Sequence, residues 1–303
     1  MDLILIATPG SARSSAELAS LLQTRTGQAV VRHFPDGESY VRLMHPVAGS
    51  EVAVVCRLDH PDPKVVPLLW LAEAVRASGA ARVGLVVPYL PYMRQDKTFH
   101  DGEIVSARHF AALLSAHFDW LVTVDPHLHR IGSLSEIFSI PAVAVHAGAA
   151  VAAWIARTVA SPLIVGPDAE SRQWVEDVAG RCGAPAVVLD KRRLGDREVE
   201  IVAPGLRQHT GLTPVLVDDI VSTGGTMLAA TRCLREHGYG PPVCVAVHAL
   251  FTDKAYADLR AVAADVVSCD TVAHASNRIA LASWLAEGIQ QVRLEADRAV
   301  PRK

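Results

Sequence analysis

The chain has 303 residues, half of them hydrophobic, and its 29 lysines and arginines nearly balance its 32 aspartates and glutamates. This length predicts about two domains and a core that needs no disulfide or structural metal for stability. The net charge of −3 and the aromatic content of 5% exclude a broad basic or base-stacking surface, so we expect no nucleic-acid partner.

The N-terminal segment and the cysteines indicate the cellular setting. The first hydrophobic run has no basic region before it, which favours a strand over a signal peptide. No hydrophobic run reaches the ~18 residues of a membrane span. The five cysteines are scattered and form no CxxC pair, unlike a disulfide framework or a zinc ribbon. We therefore expect a cytoplasmic protein with no membrane partner.

Short β-branched runs alternate with segments whose hydrophobic residues recur at helical spacing. Continuous hydrophobic strands separated by helices indicate parallel sheets covered on both faces, so we predict an α/β fold. The predicted strands are 3–7, 29–33, 51–58, 82–89, 120–125, 162–168, 186–193, 214–220, 243–250 and 266–270. The predicted helices are 14–26, 64–79, 105–117, 169–182, 226–238 and 255–264.

The order of these signals is repeated along the chain. In both 82–130 and 162–226, a strand with a polar cluster is followed by a helix and by a second strand with a polar cluster. Two related halves explain this order, and we predict domains 1–148 and 149–303, with the last helix packing back on the first. The polar clusters follow strands, and ligands of open α/β sheets bind at the carboxyl ends of strands.

The segment VLVDDIVSTGGTM (215–227) is the most informative one. Two aspartates end a predicted strand, and a hydroxyl- and glycine-rich turn precedes a helix that we expect to begin near Met227. Backbone N–H groups at such a turn can hold a phosphate, while adjacent acids accept hydrogen bonds from sugar hydroxyls. The alternative is a helix cap followed by an ordinary loop. The predicted ribose 5-phosphate residues are Asp218, Asp219, Ser222, Thr223, Gly224, Gly225 and Thr226.

Other patterns leave more than one interpretation open. Asp125, His127 and His129 alternate along an extended segment and could face one metal or phosphate, although no cysteine or fourth zinc ligand lies nearby. The three consecutive cations 191–193 suit either a clamp on phosphate charge or a solvated edge. Neither a Walker A loop nor a GxGxxG motif is present, so a P-loop or dinucleotide fold is not expected.

The segment DDIVSTGGT (218–226) resembles the binding loop for phosphoribosyl diphosphate (PRPP) of type I phosphoribosyltransferases and of ribose-phosphate diphosphokinases. Four further segments follow the order that is typical of the diphosphokinases, and a phosphoribosyltransferase would have no counterpart to the first 150 residues. The implied fold is α/β with two related phosphoribosyltransferase-like domains, each a mainly parallel sheet flanked by helices. The four segments are FPDGESYVRL (34–43), PYMRQDK (91–97), VTVDPHLH (122–129) and VGPDAES (165–171).

The resemblance implies an ATP site in the first domain. Phe34 would stack on adenine and Asp36 and Glu38 would read its amine and ribose, all from a neighbouring subunit; alone, this segment reads as a plain hairpin turn. A second group would bind the triphosphate, and its members from 94–97 alone read equally well as an exposed polar loop. The group consists of Arg94, Gln95, Asp96, Lys97 and His127.

The resemblance also implies Mg²⁺ as cofactor, with His127 and Asp168 as ligands, although Asp168 could instead cap a helix. Lys191 and Arg193 would be the catalytic pair on a flap over the reacting phosphates. His129 departs from the commoner family pattern, and no role is assigned to it. Residues 97–108 are more similar to the archaeal type, which argues against regulation by ADP or phosphate.

The predicted activity is the transfer of the diphosphoryl group of ATP to ribose 5-phosphate, giving PRPP and AMP. A shared adenine site implies a homo-oligomer, a dimer or larger. Two alternatives are a catalytically inactive regulatory subunit and, less favoured, a PRPP-using phosphoribosyltransferase.

Overall fold

The computed structural model describes residues 1–98, 100–128, 130–193, 199–202 and 205–299, and for 191–193, 199–202 and 299 it describes the backbone alone. By its contacts the chain divides into two units. The first consists of Met1–His146 together with Ala282–Lys303, and the second of Ala147–Leu281. The C-terminal segment thus groups with the N-terminal half of the chain.

The first unit is built on a six-stranded sheet, in which all neighbouring strands are parallel, and on a separate antiparallel hairpin, β3–β4. The strands are β1 (Leu3–Ala7), β2 (Arg25–Gly27), β3 (Ala29–His33), β4 (Ser39–Leu43), β5 (Glu51–Val55), β6 (Arg82–Val86), β7 (Trp120–Val124) and β8 (Ala142–Val145). Across the sheet their order is β2-β1-β5-β6-β7-β8. The helices here are α1 (Ala12–Leu22), α2 (Asp62–Ala77) and α3 (Ser106–His117).

The second unit has the same plan, with a parallel six-stranded sheet and a separate antiparallel pair, β11–β12. Its helices are α4 (Gly148–Thr158), α5 (Arg172–Cys182), α6 (Gly225–Glu236) and α7 (Asp253–Val262). Its strands are β9 (Pro162–Gly166), β10 (Ala186–Val188), β11 (Asp190–Arg193), β12 (Val199–Val202), β13 (Thr213–Val221), β14 (Val243–Ala249), β15 (Asp265–Cys269) and β16 (Asn277–Ile279). The sheet order is β10-β9-β13-β14-β15-β16, and the predicted α/β class is confirmed.

Burial explains why the central strands could be recognised from sequence. Every residue of β5, β6 and β7 is buried, as expected for parallel strands covered on both faces. Packing across β6 and β7 is close enough to require a glycine, since a Cβ on Gly84 would lie 2.0 Å from Cε2 of Trp120.

The short elements at the sheet edges differ from the predictions. The helix predicted over 14–26 ends at Leu22, because Gln23 turns left-handed (φ 51°) and the next residues pair with β1 as β2. The strands β2, β4, β8, β12 and β16 were not predicted, since runs of three to five residues carry little periodicity. Helix α4 was missed as well.

The last helix, α8 (Ala282–Ala299), packs on α1, β7 and β8 within the first unit. Its close approach depends on Gly288, where a Cβ would lie 2.6 Å from Val145. Among the described residues, no helix is long and apolar enough to span a membrane.

Candidate functional site

Three aspartates lie at the carboxyl edge of the second unit's sheet. Asp168 follows the end of β9, and Asp218 and Asp219 lie in β13, which pairs with β9. Both acids lie within β13, as the predicted strand 214–220 implies, but they do not end it, because Ile220 and Val221 still pair with β14. The acidic pair is therefore held by a strand rather than by a loop.

The neighbouring carboxylates turn back onto the backbone. Asp218 Oδ1 accepts a hydrogen bond from the N–H of Asp219 at 3.1 Å, and Asp219 Oδ1 accepts one from the N–H of Ile220 at 2.7 Å. Burial, and then the negative charges of Asp219 and Asp168, raise the pKa of Asp218 well above its usual range. A cation or the hydroxyl donors of a sugar would relieve this crowding of negative charge.

The raised pKa makes the stability of the ligand-free protein depend on pH. A carboxyl group whose pKa is higher in the folded state stabilises the fold while protonated, and this contribution is lost as pH rises through the raised pKa. Asp218→Asn mimics the protonated form, so we expect it to raise Tm by about 2–4 °C at about pH 8 and by less at about pH 5.

Thermal unfolding of both proteins without ligands, at the two pH values, measures this effect. Asp258→Asn is the control, because Asp258 is exposed and pairs with Lys254 on the surface of α7. A Tm difference for Asp218→Asn that is constant with pH, or that reverses sign, would contradict the electrostatic explanation.

Asp168 also has the structural role that was its alternative reading. Its side chain accepts a hydrogen bond from the N–H of Glu170 at 3.2 Å, and so caps the 3₁₀ turn Ala169–Ser171 that leads into α5. Its backbone carbonyl accepts from the Ser171 hydroxyl at 2.6 Å. The cap fixes the carboxylate where its charge acts on Asp218.

The hydroxyl- and glycine-rich turn leads directly into helix α6. The helix begins at Gly225 and not near Met227 as predicted, because Gly224 adopts a left-handed φ of 72° and its carbonyl accepts the first helical hydrogen bond, from Leu228. Gly224 has no side chain to cap the helix, so the first backbone N–H groups face outward at its positive end. This is the local geometry of an anion site.

The turn is anchored from one side by α7. The carbonyl of Ser222 accepts a hydrogen bond from Thr252, the residue that caps α7, at 3.2 Å. A Cβ on Gly224 would lie 3.4 Å from Ala255 and Leu259. Thr223 and Gly225 are exposed, while Ser222 and Thr226 are half-buried. The predicted ribose 5-phosphate residues thus form one continuous segment at one sheet edge.

In the first unit, the predicted triphosphate residues follow β6. Arg94 and Lys97 are exposed, whereas Gln95 accepts a hydrogen bond from the Ser106 hydroxyl at 2.7 Å. The Asp96 side chain is 2% exposed and pairs with Arg130 at 2.9 Å. The cations are therefore presented to solvent, while the two residues between them are held by neighbouring segments.

His127 lies just beyond β7, at the same carboxyl edge, and is half-buried. The predicted convergence of Asp125, His127 and His129 on one ion includes a residue outside the described part of the chain, so it stays a prediction. The carboxylate of Asp125 lies 2.9 Å from Nδ1 of His146, and His129 is outside the described residues. In the part of the chain that the structure describes, no three His, Cys, Asp or Glu side chains form a metal-binding group.

The segment 34–38 is the tip of the β3–β4 hairpin, as its plain reading suggested. The N–H of Phe34 bonds to the carbonyl of Glu38 at 2.8 Å, and Asp36 accepts from the N–H of Glu38 at 3.1 Å. The Phe34 ring is 40% exposed, and the guanidinium of Arg32 lies 4.8 Å from its centroid. An exposed ring with two carboxylates stands at the tip.

Lys191 and Arg193 lie at alternate positions of β11, opposite Ile201 and Val199 of β12. The backbone is thus extended where the catalytic pair was predicted. Two polar residues of the first unit were missed by sequence reasoning, Arg130 and His146. Both directly follow segments at the carboxyl edge of the sheet, which is the signal that could have indicated them.

Comparisons with known proteins agree with this arrangement. Residues 3–117 match the family model described as the N-terminal domain of ribose phosphate pyrophosphokinase, and residues 133–284 match the phosphoribosyl transferase domain. A ribose-phosphate pyrophosphokinase from Methanopyrus kandleri is 35% identical over 96% of this chain and 99% of its own length. The enzyme of that name from Methanosarcina mazei is 33% identical over 94% of each chain.

A solved structure extends the likeness to three dimensions. The crystal structure of phosphoribosylpyrophosphate synthetase from Mycobacterium smegmatis matches 97% of this chain and 100% of its own, with a TM-score of 0.85 and 26% identity. The expected fold of two phosphoribosyltransferase-like domains is thereby confirmed. On the two family models and the full-length relatives, the chain belongs to the ribose-phosphate pyrophosphokinase family.

Proposed function

We propose that the chain transfers the diphosphoryl group of ATP to the anomeric hydroxyl of ribose 5-phosphate. The hydroxyl oxygen attacks the β-phosphorus, the bond from that phosphorus to the oxygen shared with the α-phosphate breaks, and AMP leaves with that oxygen. The hydroxyl proton passes to a phosphate oxygen or to water. Such a transfer depends mainly on positioning and on neutralising charge.

The observation that carries the proposal is the acidic pair next to an anion-binding turn. Asp218 and Asp219 would accept hydrogen bonds from the ribose hydroxyls. The turn 222–226 would hold the 5-phosphate through backbone N–H groups at the start of α6 and through its hydroxyls. Recognition of a diol and of a phosphate side by side suits ribose 5-phosphate, and full-length relatives carry a name that describes this activity.

The remaining predicted residues would bind ATP. Phe34, Asp36 and Glu38 would contact the adenosine from a neighbouring subunit, and a second group from the first unit would contact the phosphates. These residues are Arg94, Gln95, Lys97 and His127, whereas the buried Asp96 pairs with Arg130.

The donor set fits Mg²⁺. Asp168 offers carboxylate oxygens at a place where negative charges already lie close together, as the raised pKa of Asp218 indicates. Mg²⁺ prefers oxygen ligands. We propose Asp168 as a ligand of one ion and His127 as a ligand of an ion bound with the ATP phosphates. When bound, Mg²⁺ would neutralise part of the phosphate charge.

One assay separates this function from its alternatives. Purified protein is incubated with ATP, Mg²⁺ and ribose 5-phosphate, and we expect AMP and PRPP to form together. If a product forms only when PRPP and a base are supplied, the protein is a phosphoribosyltransferase. The match of residues 3–117 argues against this alternative. No turnover at all would indicate an inactive relative, against which the presence of His127, Asp168, Lys191 and Arg193 argues.

A substitution in the acidic pair tests the assignment of the ribose subsite. Asp219→Ala removes a charged acceptor, so we expect the KM for ribose 5-phosphate to rise about 10- to 100-fold and the KM for ATP to change little. Steady-state kinetics in each substrate measures both values. Asp258→Ala, at an exposed site of the same unit, serves as the control. An equal rise in both KM values would mean that the subsite is wrongly assigned.

We also propose a homo-oligomer, because the hairpin tip stands beside exposed hydrophobic surface. A groove of about 1000 Å³ runs between the hairpin and α2, lined by Tyr40, Val66 and Trp70 among others. Trp70 is 54% exposed in the single chain, an unusual state for so large a ring. Measurement of the molar mass in solution tests this proposal, and a value equal to that of one chain would contradict it.

A further inference from the structure

The segment that carries His127 is held at both of its ends by carboxylate pairs. It begins at Asp125, directly after β7, and reaches Arg130. In the described residues, each end bonds to a different neighbouring segment of the first unit, one after β6 and one after β8. These pairs lie at the carboxyl edge, where the ATP residues were assigned.

The first end is a backbone turn that a glycine would adopt more easily. Asp125 has a φ of 32°, in the left-handed region, although it carries a side chain. Its N–H donates to the carbonyl of Val145 at 3.0 Å, and its carboxylate lies 2.9 Å from Nδ1 of His146. A carboxylate only accepts, so Nδ1 carries the proton of this hydrogen bond. Such turns persist where surrounding contacts determine them.

The burial of the two partners shows which one is structural. The Asp125 side chain is 5% exposed, whereas that of His146 is 77% exposed. Removing the imidazole therefore leaves the hydrophobic core untouched and deprives a buried carboxylate of one donor. The loss of the imidazole should therefore affect the turn at Asp125 and the orientation of His127, two residues further along the chain.

The second end is fixed by Asp96. Its carboxylate accepts from the backbone N–H of Arg130 at 3.2 Å and from Nη1 of the same residue at 2.9 Å. The Asp96 side chain is only 2% exposed, and both of its carboxylate oxygens bond to Arg130. The sequence placed Asp96 among the ATP ligands, but these contacts give it a different task.

We propose that His146 and Asp96 are positioning residues, which hold the segment 125–130 so that His127 meets the ATP phosphates. The inference rests on the proposed function through the role of His127. The outer groups that fix the orientation of a metal ligand typically cost about 10- to 100-fold in metal affinity or activity when they are lost, and His127 is proposed as such a ligand. Neither residue needs to touch ATP for this effect.

Binding of ATP without turnover gives the cleanest test. The probe is Mg²⁺ with α,β-methylene-ATP, whose α–β bridge cannot be cleaved, and calorimetry gives its Kd. We expect His146→Ala to raise this Kd about tenfold. His146→Asn keeps an N–H near the position of Nδ1, and we expect it to stay within about threefold of wild type. Asp96→Asn, which removes the negative charge that pairs with Arg130, should weaken binding as well.

A double-mutant cycle distinguishes action through His127 from independent effects. If His146 acts only through His127, then His127→Ala combined with His146→Ala should bind within about twofold of His127→Ala alone. Tm should stay near the wild-type value for His146→Ala. The control is His117→Ala, which breaks another His–carboxylate pair, with Glu73, at the end of α3.

The possible outcomes separate the inference from the function on which it rests. Additive losses in the cycle, an unchanged Kd for His146→Ala, or a fall in Tm that His146→Asn does not restore would each overturn the positioning role. If the wild-type protein binds the analogue and the double-mutant cycle shows coupling, but no PRPP is formed, the proposed function is overturned and the positioning role is supported. Wild-type protein that does not bind the analogue would overturn both.

Discussion

Replacing Lys191 with alanine is expected to lower kcat for PRPP formation by about 10²- to 10³-fold, with both KM values near those of wild type. A cation that meets the transferring group mainly when its charge rearranges stabilises the transition state more than the bound substrates. Lys191 and Arg193 stand at alternate positions of β11, a spacing that puts two residues on one side of a strand. Steady-state kinetics with both substrates measures the change.

The chain offers a matched control for this substitution. Arg192 lies between the two residues in the same strand. Arg192→Ala therefore removes the same charge from the same segment, but at a position that alternates with those of Lys191 and Arg193. We expect its kcat to remain within about threefold of wild type. An unchanged kcat for Lys191→Ala, or equal losses for both variants, would remove Lys191 from the catalytic role.

The parts of the fold that sequence predicts best are those whose burial is uniform. The central strands β5, β6 and β7 are buried at every residue, so their hydrophobic runs indicated a parallel sheet without knowledge of their neighbours. Boundaries are different, because partners elsewhere in the chain determine them. Val221 extends β13 one residue past its predicted end through its pairing with β14, and α6 begins at Gly225 rather than near Met227.

The candidate site divides in the same way. The phosphate turn could be predicted because its residue types act locally, through hydroxyls, glycine and the start of a helix. The use of Asp96 could not, since its partner Arg130 comes from beyond the next helix and strand. The pairing of Asp125 with His146 likewise depends on β7 and β8 being neighbours, which no local pattern states.

A second large effect is expected away from the site, at Glu51. Its side chain is 1% exposed and accepts hydrogen bonds from three donors: Trp120 Nε1 at 2.8 Å, Arg82 Nη1 at 3.4 Å and Arg293 Nε at 2.8 Å. Glu51→Ala leaves two guanidinium groups without this partner and an indole N–H without its acceptor. We expect the free energy of unfolding to fall by about 3–5 kcal/mol.

The midpoint of urea unfolding, followed by circular dichroism, measures the loss. Glu51→Gln retains the shape and two acceptor lone pairs but not the charge, so it should be intermediate. Glu17→Ala is the matched control, since Glu17 pairs with Arg13 on the surface of α1, where such pairs contribute about 0–1 kcal/mol. Equal midpoints for Glu51→Ala and Glu17→Ala would contradict the assignment.

Glu51 connects parts of the first unit that are far apart in the sequence. Arg293 lies 242 residues further along the chain, in the last helix, and its Nη2 also donates to the carbonyl of Met1 at 3.1 Å. Arg82 bonds in turn to Asp297 of the same helix at 2.8 Å. One buried carboxylate thus joins the start of β5 to the C-terminal helix, so Glu51→Ala should loosen α8 from the first unit. Arg293→Ala should cost less than Glu51→Ala, because Arg82 and Trp120 still contact the carboxylate.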